Sequence, residues 1–182
     1  GSGVYQLTIF VDTFCASLAS IVGAGGISAI YYSNRIIQLP MGVFSIALAS
    51  AVLPTLSSLA AEQNTARLRQ TIVFALENMF FIMIPVSVVT MILSRPMIHA
   101  LFQRGEFDAY STSITSSALL FYAIGLFAFG SIKVLVSAFH ALQDTKTPVK
   151  VSAMCLAINA TLNFVLMGPM KVAGIAFASS IA

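Results

Sequence analysis

Long apolar segments restrict the fold of this sequence more than any other feature. A transmembrane helix needs about 20 mostly apolar residues to cross roughly 30 Å of hydrocarbon. We predict such helices at about residues 4–22, 27–61, 68–93, 109–141, 148–167 and 172–182, the last of them partial. The sequence has no β-strand alternation and no soluble linker between these segments. The predicted fold class is therefore an all-α, polytopic helical bundle in a membrane.

The charge content agrees with a lipid-facing surface. Charged residues make up 8% of the chain and hydrophobic residues 58%, whereas soluble domains carry about 25% charged residues. The net charge is +3, but the nine lysine and arginine residues are scattered along the chain. Because a nucleic-acid site needs a clustered basic surface, we do not expect nucleic acid as a partner.

Glycine, proline and capping residues indicate where the predicted helices bend, begin or end. The glycine-rich residues 23–26 are suited to ending the first helix, and Pro40 predicts a kink in the second. Residues 94–96 are expected to end the third helix and to start a short amphipathic one. Asp108 is predicted to cap the fourth helix, and Thr147, which a proline follows, to cap the fifth.

The basic residues give a weak indication of orientation. Arg67 and Lys146 lie in loops on one side of the predicted bundle, and equal numbers of basic residues lie on the other. Arg35, on that other side, falls within a predicted helix rather than a loop. We therefore place the Arg67 and Lys146 loops in the cytoplasm.

One face of the second helix carries polar residues at membrane depth. Tyr31, Asn34, Arg35 and Gln38 follow helical spacing, and Ser28 lies one turn earlier. A charge at membrane depth costs about 3 kcal/mol on insertion scales, so such residues usually face a cavity or a partner. The face is suited to binding phosphate or carboxylate, because a guanidinium offers bidentate hydrogen bonds. The alternative is an interfacial turn in which Arg35 extends to lipid headgroups.

A second polar set is spread over three predicted helices. Asp12 lies in the first helix, Asn159 and Asn163 share a face of the fifth, and Ser179 lies in the sixth. Their oxygen atoms are hard ligands, so the set is a candidate Na⁺ site or proton relay. The alternative, which we favour from the pattern alone, is interhelical hydrogen bonding worth about 0.6 kcal/mol per bond.

The remaining charged residues give less information. Lys133 lies deep in the fourth helix on a seam of small and polar residues, and we include it among the candidate substrate-binding residues. Arg95 and the turn at residues 104–108 are expected at the membrane interface. Because the sequence has no catalytic motif such as H-E-x-x-H or G-x-S-x-G, we do not expect an enzyme, and we expect no cofactor beyond Na⁺ or H⁺ coupling.

Three stretches of the sequence resemble characteristic stretches of the MurJ (MviN) lipid II flippase family, within the MOP exporter superfamily. They are residues 31–40 (YYSNRIIQLP, followed by Gly42 and by Pro54), residues 102–108 (FQRGEFD) and residues 143–150 (QDTKTPVK). The agreement continues in the same order along essentially the whole chain, which makes it more specific than any one stretch.

The resemblance implies a MATE-like fold, in which two six-helix lobes surround a central cavity and two further helices form a lipid-facing groove. This chain, which ends within an apolar segment, would be a fragment with the seventh to twelfth of fourteen helices, the last truncated. Its partners would be the first lobe and terminal helices of the same protein, lipid II and other membrane lipids.

The implied activity is movement of lipid II, the undecaprenyl-pyrophosphate-linked peptidoglycan precursor, across the bacterial inner membrane by alternating access. Arg35 matches the second-lobe cavity arginine of the family. Some relatives carry acidic residues where this chain has Asn34 and Gln38, which argues against a proton-linked role for these positions. The alternatives are another exporter of the superfamily (a multidrug/cation antiporter or an O-antigen flippase) and a membrane scaffold without transport activity.

Overall fold

Among the residues that the structure describes, four helices are long and apolar enough to cross a membrane. They are Gly26–Ala61, Thr65–Phe102, Ala109–Ala141 and Lys146–Ile181. The first three have 33 to 38 residues, or at least about 50 Å at 1.5 Å per residue, which exceeds the roughly 30 Å hydrocarbon core. The structure, a computed structural model, describes residues 2–105 and 107–182, without the side chains of residues 2–6, 19 and 21. The chain belongs to a multi-pass membrane protein.

Helices account for nearly all of the described residues, among which there is no strand. Their bounds are α1 Ser2–Ser17, α2 Ala19–Val22, α3 Gly26–Pro40, a π-helical segment Met41–Ile46, α4 Ala47–Ala61, α5 Thr65–Phe102, α6 Ala109–Ala141 and α7 Lys146–Ile181. The predicted all-α helical bundle is confirmed. Of the residues used for the sequence comparison above, Glu106 lies outside the described residues.

Helix α6 lies at the centre of the bundle. Serine hydroxyls of three other helices donate hydrogen bonds to its backbone carbonyl oxygens: Ser33 of α3 to Thr115 (2.9 Å), Ser87 of α5 to Ala123 and Ser180 of α7 to Phe121 (2.7 Å). In a membrane, packing and interhelical hydrogen bonds hold helices together because lipid provides no hydrophobic driving force. These bonds fix the depth of the other helices against α6.

Two contacts give the relative direction of α3 and α6. Ser33 bonds to Thr115 near the start of both helices. Further along both helices, a Cβ at Gly130 would lie 2.9 Å from the Oγ of Ser45 in the π-helical segment. From the first contact to the second, the residue numbers increase in both helices. The span from α3 to α4 therefore runs parallel to α6.

The first predicted helix is interrupted before its expected end. Helix α1 ends at Ser17, where the Leu18 N–H donates to the carbonyl of Cys15 over three residues (3.2 Å). The short α2 follows and ends before Gly23, which has φ +96°, and Gly25, which has φ +81°. Since this left-handed region favours glycine, the glycine-rich segment ends the helix as predicted.

Helical hydrogen bonding changes at Pro40, where the sequence predicts a kink. Helix α3 ends there and the π-helical segment Met41–Ile46 begins. Proline has no N–H to donate to the carbonyl four residues earlier. The chain remains helical by widening its turns, an arrangement that is common at the bends of long helices.

The break predicted at residues 94–96 is wrong, because α5 continues through them to Phe102. Pro96 is exposed. Ser94 is buried and its hydroxyl donates to the carbonyl of Met91 (3.0 Å). Pro96 lacks the N–H that would bond to the carbonyl of Ile92, and proline is nevertheless tolerated within membrane helices.

Aspartate side chains cap the starts of α6 and α7. The predicted Asp108 cap is confirmed, since its Oδ1 accepts from the Ser111 N–H (2.8 Å), and hydrogen bonding from Ser111 lowers the pKa of Asp108. The predicted Thr147 cap is wrong. Helix α7 begins at Lys146, and the carboxylate of Asp144 accepts from the N–H groups of Lys146 and Thr147 (3.0 Å each). Hydrogen bonding from Thr147 lowers the pKa of Asp144.

Helix α7 reverses its direction at Lys171, which has φ +52° and ψ −130°. The Nδ2 of Asn159 lies 3.1 Å from the Oγ of Ser179, 20 positions further along. A straight helix would separate these residues by about 30 Å. Residues 146–170 and 172–181 therefore form two antiparallel arms, and the first arm continues past the end predicted at residue 167.

Candidate functional site

The reversal at Lys171 brings together the four residues of the predicted ion site. Asp12 lies in α1, Asn159 and Asn163 lie in the first arm of α7, and Ser179 lies in the second arm. Asn159 and Asn163 share a face because they are four positions apart in a helix. We name these four residues the Asp12 cluster.

The cluster is buried and closely hydrogen bonded. The Nδ2 of Asn163 donates to Asp12 Oδ1 (2.8 Å), and the Ser179 hydroxyl donates to Asp12 Oδ2 (2.7 Å). Asn163 Nδ2 also lies 3.1 Å from the Oδ1 of Asn159. The exposed fractions are 6% for Asp12, 1% for Asn159 and 0% for Asn163. Both carboxylate oxygens of Asp12 therefore have a neutral donor within the protein.

One oxygen of the cluster has no partner. The Oδ1 of Asn163 is buried and accepts no hydrogen bond from the described residues. An unpaired buried polar atom costs free energy, so this oxygen is free to bind a further group. The available donors are carboxylate, amide and hydroxyl oxygens, which suit a hard cation. Among the described residues, no three His, Cys, Asp or Glu side chains converge as a softer metal would require.

The predicted polar face of α3 forms a second group, which we name the Arg35 face. Arg35 donates from Nε (3.3 Å) and Nη2 (3.1 Å) to the Tyr31 hydroxyl, and its Cζ lies 5.2 Å from the centre of the Tyr31 ring. Its Nη1 lies 3.5 Å from the Oε1 of Gln38, whose Nε2 lies 3.3 Å from the Oδ1 of Asn34. The helical spacing thus brings these four side chains into contact.

The Arg35 face is open on the side away from the bundle. Arg35, Tyr31 and Gln38 are exposed, whereas Ser33 and Ile36 on the opposite side of α3 are buried. The contacts of the guanidinium within the described residues are with neutral groups. An aqueous cavity beside this face remains a prediction, and the guanidinium keeps donors for an anionic ligand.

Two other predicted residues lie apart from the Arg35 guanidinium. Ser28 lines a separate cleft at the start of α3. Lys133 is exposed on α6, 18 positions after Thr115, which lies level with Ser33. Because α3 and α6 are parallel, Lys133 is roughly 25 Å further along the bundle than Arg35. The structure does not bring Lys133 into the Arg35 face.

The whole chain matches a known protein family. The model of the family described as "Lipid II flippase MurJ" covers residues 1–182. A probable lipid II flippase MurJ of Vibrio cholerae is 35% identical over 180 residues, which are 99% of this chain and 34% of that protein. A probable lipid II flippase MurJ of Haemophilus influenzae is 33% identical over 186 residues, 99% of this chain and 36% of its own length.

A solved structure shares the fold. The structure of lipid II flippase MurJ in an inward closed conformation matches with a TM-score of 0.85 and 28% sequence identity, over 98% of this chain and 37% of that chain. This chain therefore spans about a third of the length of the relatives that it matches. The match of the family model to all of its residues shows that the chain belongs to the MurJ lipid II flippase family.

Proposed function

We propose that the protein to which this chain belongs moves lipid II across the bacterial inner membrane by alternating access, and that this segment is half of its transport core. The observation that carries the proposal is the Arg35 face, an exposed arginine within a helix long and apolar enough to span a membrane, in a chain of the MurJ lipid II flippase family. The rest of the protein would cover this face and complete an aqueous cavity. The Arg67 and Lys146 loops would lie in the cytoplasm.

Arg35 would bind the pyrophosphate of the substrate. Its planar guanidinium can donate two parallel hydrogen bonds to phosphate oxygens. Tyr31 accepts from the Nε and Nη2 of Arg35 and orients the plane of the group. Gln38 and Asn34 would donate from their amides to the remaining oxygens. A cavity wall of neutral amides around one cation favours an anionic substrate.

Complementation tests the proposed function. The full-length protein should restore growth and lipid II export in a bacterial strain depleted of its own flippase. The measurement compares the lipid II exposed on the outer surface of the inner membrane with and without the protein. If the protein reaches the inner membrane at normal abundance and lipid II stays inside, the proposal is wrong.

The Asp12 cluster would couple transport to Na⁺. The ligands would be the carboxylate of Asp12, the unpartnered Oδ1 of Asn163, the Oδ1 of Asn159 and the hydroxyl of Ser179. A bound cation would neutralise the buried carboxylate and hold α1 against both arms of α7. Occupancy of the site would therefore favour one arrangement of these helices over another, as coupling requires.

Replacing Asp12 with asparagine should remove most of the thermal stabilisation that Na⁺ gives to the full-length protein. A ligand that binds only the folded state at 100 times its Kd stabilises by about 2.7 kcal/mol, and this effect needs the carboxylate charge. The measurement is the melting temperature in NaCl against choline chloride at equal ionic strength. Asp108→Asn is the matched control and should keep the shift, because Asp108 caps α6 at the surface. Equal shifts in the wild type and Asp12→Asn would contradict the site.

A further inference from the structure

A cleft at one end of the bundle is distinct from both groups described above. It lies where α3 and α6 begin and α5 ends, and it has a volume of about 410 Å³. Its lining includes Ser28, Tyr32, Arg104, Phe107, Ser111 and Thr115. We name it the Arg104 cleft. Pockets that hold small ligands measure about 300 to 1,000 Å³, so the cleft has room for a lipid headgroup.

The geometry points to a site for the phosphate group of a lipid headgroup in the Arg104 cleft: we propose that Arg104, with the hydroxyls of Ser28 and Ser111, binds a phosphate ester at this end of the bundle. This inference goes beyond lipid II transport, since binding in the cleft requires no movement of lipid across the membrane.

The charge of Arg104 is available to a ligand. Its side chain is exposed and forms no ion pair within the described residues. The acidic residue closest to it along the described chain is Asp108, which already accepts from the Ser111 N–H at the start of α6. Among the described residues that line the cleft there is no carboxylate, so the guanidinium and the two hydroxyls offer an anion only donors and neutral groups.

Aromatic rings hold the segment that carries Arg104 against α3. The ring centre of Tyr32 lies 4.7 Å from that of Phe102 and 5.6 Å from that of Phe107. These two phenylalanines flank Arg104 in sequence and are 6.1 Å apart. Gly105 has a positive φ (+57°), which glycine adopts without strain, and the Phe107 N–H donates to the Arg104 carbonyl (3.1 Å). The cleft is therefore formed before a ligand arrives, which lowers the entropic cost of binding.

The floor of the cleft has an unpaired hydroxyl. Thr115 is 1% exposed, and its Oγ1 has no hydrogen-bond partner within the described residues. A helical threonine usually donates to the carbonyl four positions earlier, as Thr112 does to Asp108 (3.0 Å). A phosphate oxygen in the cleft, or a water molecule held by it, would supply the missing partner of Thr115.

The position of the cleft suits a headgroup. Ser28 is seven positions, or about 10 Å, from Arg35 along α3, while the Tyr32 ring of the cleft lies 5.6 Å from the Tyr31 ring of the Arg35 face. The cleft lies at the ends of membrane-spanning helices, where lipid phosphates lie. Two lipids could supply the same phosphate chemistry at this point: the transported isoprenyl diphosphate and an anionic phospholipid of the bilayer.

Replacing Arg104 with alanine in the full-length protein should weaken binding of phosphate-bearing lipids roughly tenfold, the loss expected for a charged hydrogen bond. The probes are dioctanoyl phosphatidylglycerol, farnesyl diphosphate and, without phosphate, dioctanoylglycerol. Native mass spectrometry in detergent measures the bound fraction of each. A loss confined to phosphatidylglycerol supports a bilayer lipid as the ligand, and a loss confined to farnesyl diphosphate supports the transported lipid. If Arg104→Ala binds both phosphate-bearing lipids as well as the wild type does, the proposal is overturned.

Matched variants show whether lipid binding depends on Arg104 itself, on the overall positive charge or on the Arg35 face. Arg95→Ala removes an exposed arginine of α5 that does not line the cleft, so binding should stay unchanged, and an equal loss there would overturn the proposal. The effect of Arg104→Ala should persist in an Arg35→Ala background, whereas its disappearance would assign the binding to the Arg35 face.

Thr115→Val should weaken binding without lowering the melting temperature, because it removes a hydroxyl that is unpaired in the absence of ligand.

Discussion

Replacing Arg35 with alanine should prevent the full-length protein from supporting growth of a flippase-depleted strain, while its abundance in the membrane stays normal. Hydrogen bonds to a charged group contribute about 1.5 to 3 kcal/mol, and a bidentate pair with phosphate lies at the upper end. A loss of about 2 to 3 kcal/mol weakens binding by roughly 30- to 150-fold. The measurement is the growth rate together with lipid II export.

Folding should be almost unaffected by this substitution, which makes the result interpretable. Within the described residues, the Arg35 side chain donates hydrogen bonds to Tyr31 and Gln38 on its own helix. The residues that attach α3 to α6, such as Ser33, lie on the opposite side. Removing an exposed side chain leaves no buried partner unpaired, so the melting temperature should stay close to that of the wild type.

Two further variants test how Arg35 acts. Arg35→Lys keeps the charge but loses the planar fork that matches phosphate, so export should be intermediate. Arg69→Ala removes an exposed arginine from the start of α5 and is the matched control, which should support normal growth. Normal export by Arg35→Ala would remove this residue from the transport mechanism.

The contacts of the Arg35 face could be predicted from the sequence because one helix determines them. Tyr31, Asn34, Arg35 and Gln38 are spaced by three or four positions, and any regular helix places such residues side by side. The same spacing predicts that Asn159 and Asn163 share a face. In both cases the geometry of a single helix is sufficient to predict which side chains are neighbours, because no distant part of the chain takes part.

Other features depend on contacts between helices, which spacing does not reveal. Ser179 reaches Asp12 because the chain reverses at Lys171, and a positive φ at lysine has no signature in sequence, unlike one at glycine. The sequence alone groups Lys133 with Arg35, since it does not contain the position of α6 along α3. That position follows from the Ser33–Thr115 contact. The Arg104 cleft combines residues about 75 positions apart in the sequence, whereas the sequence predicted only an interfacial turn there.

Replacing Gly174 with alanine should destabilise the fold strongly, because among the described glycines an added Cβ there would come closest to backbone atoms. A Cβ at Gly174 would lie 2.6 Å from the carbonyl carbon of Leu166 and would overlap the carbonyl oxygen. Both are backbone atoms of the first arm of α7, so no side-chain rotation can relieve the overlap. The two arms must separate, which should cost more than the roughly 1 to 3 kcal/mol typical of an overpacked core. Thermal melting of the full-length protein, followed by size-exclusion chromatography, measures the loss.

Gly168→Ala is the matched control from the same hairpin, because a Cβ at Gly168 meets no atom within 4 Å. Alanine is favoured over glycine inside a helix by about 1 kcal/mol, so this variant should melt at or slightly above the wild-type temperature. Separation of the arms would also move Ser179 away from Asp12, so Gly174→Ala should lose the Na⁺-dependent shift that Gly168→Ala keeps. Wild-type melting and a wild-type Na⁺ shift in Gly174→Ala would mean that the arms do not pack in this antiparallel arrangement.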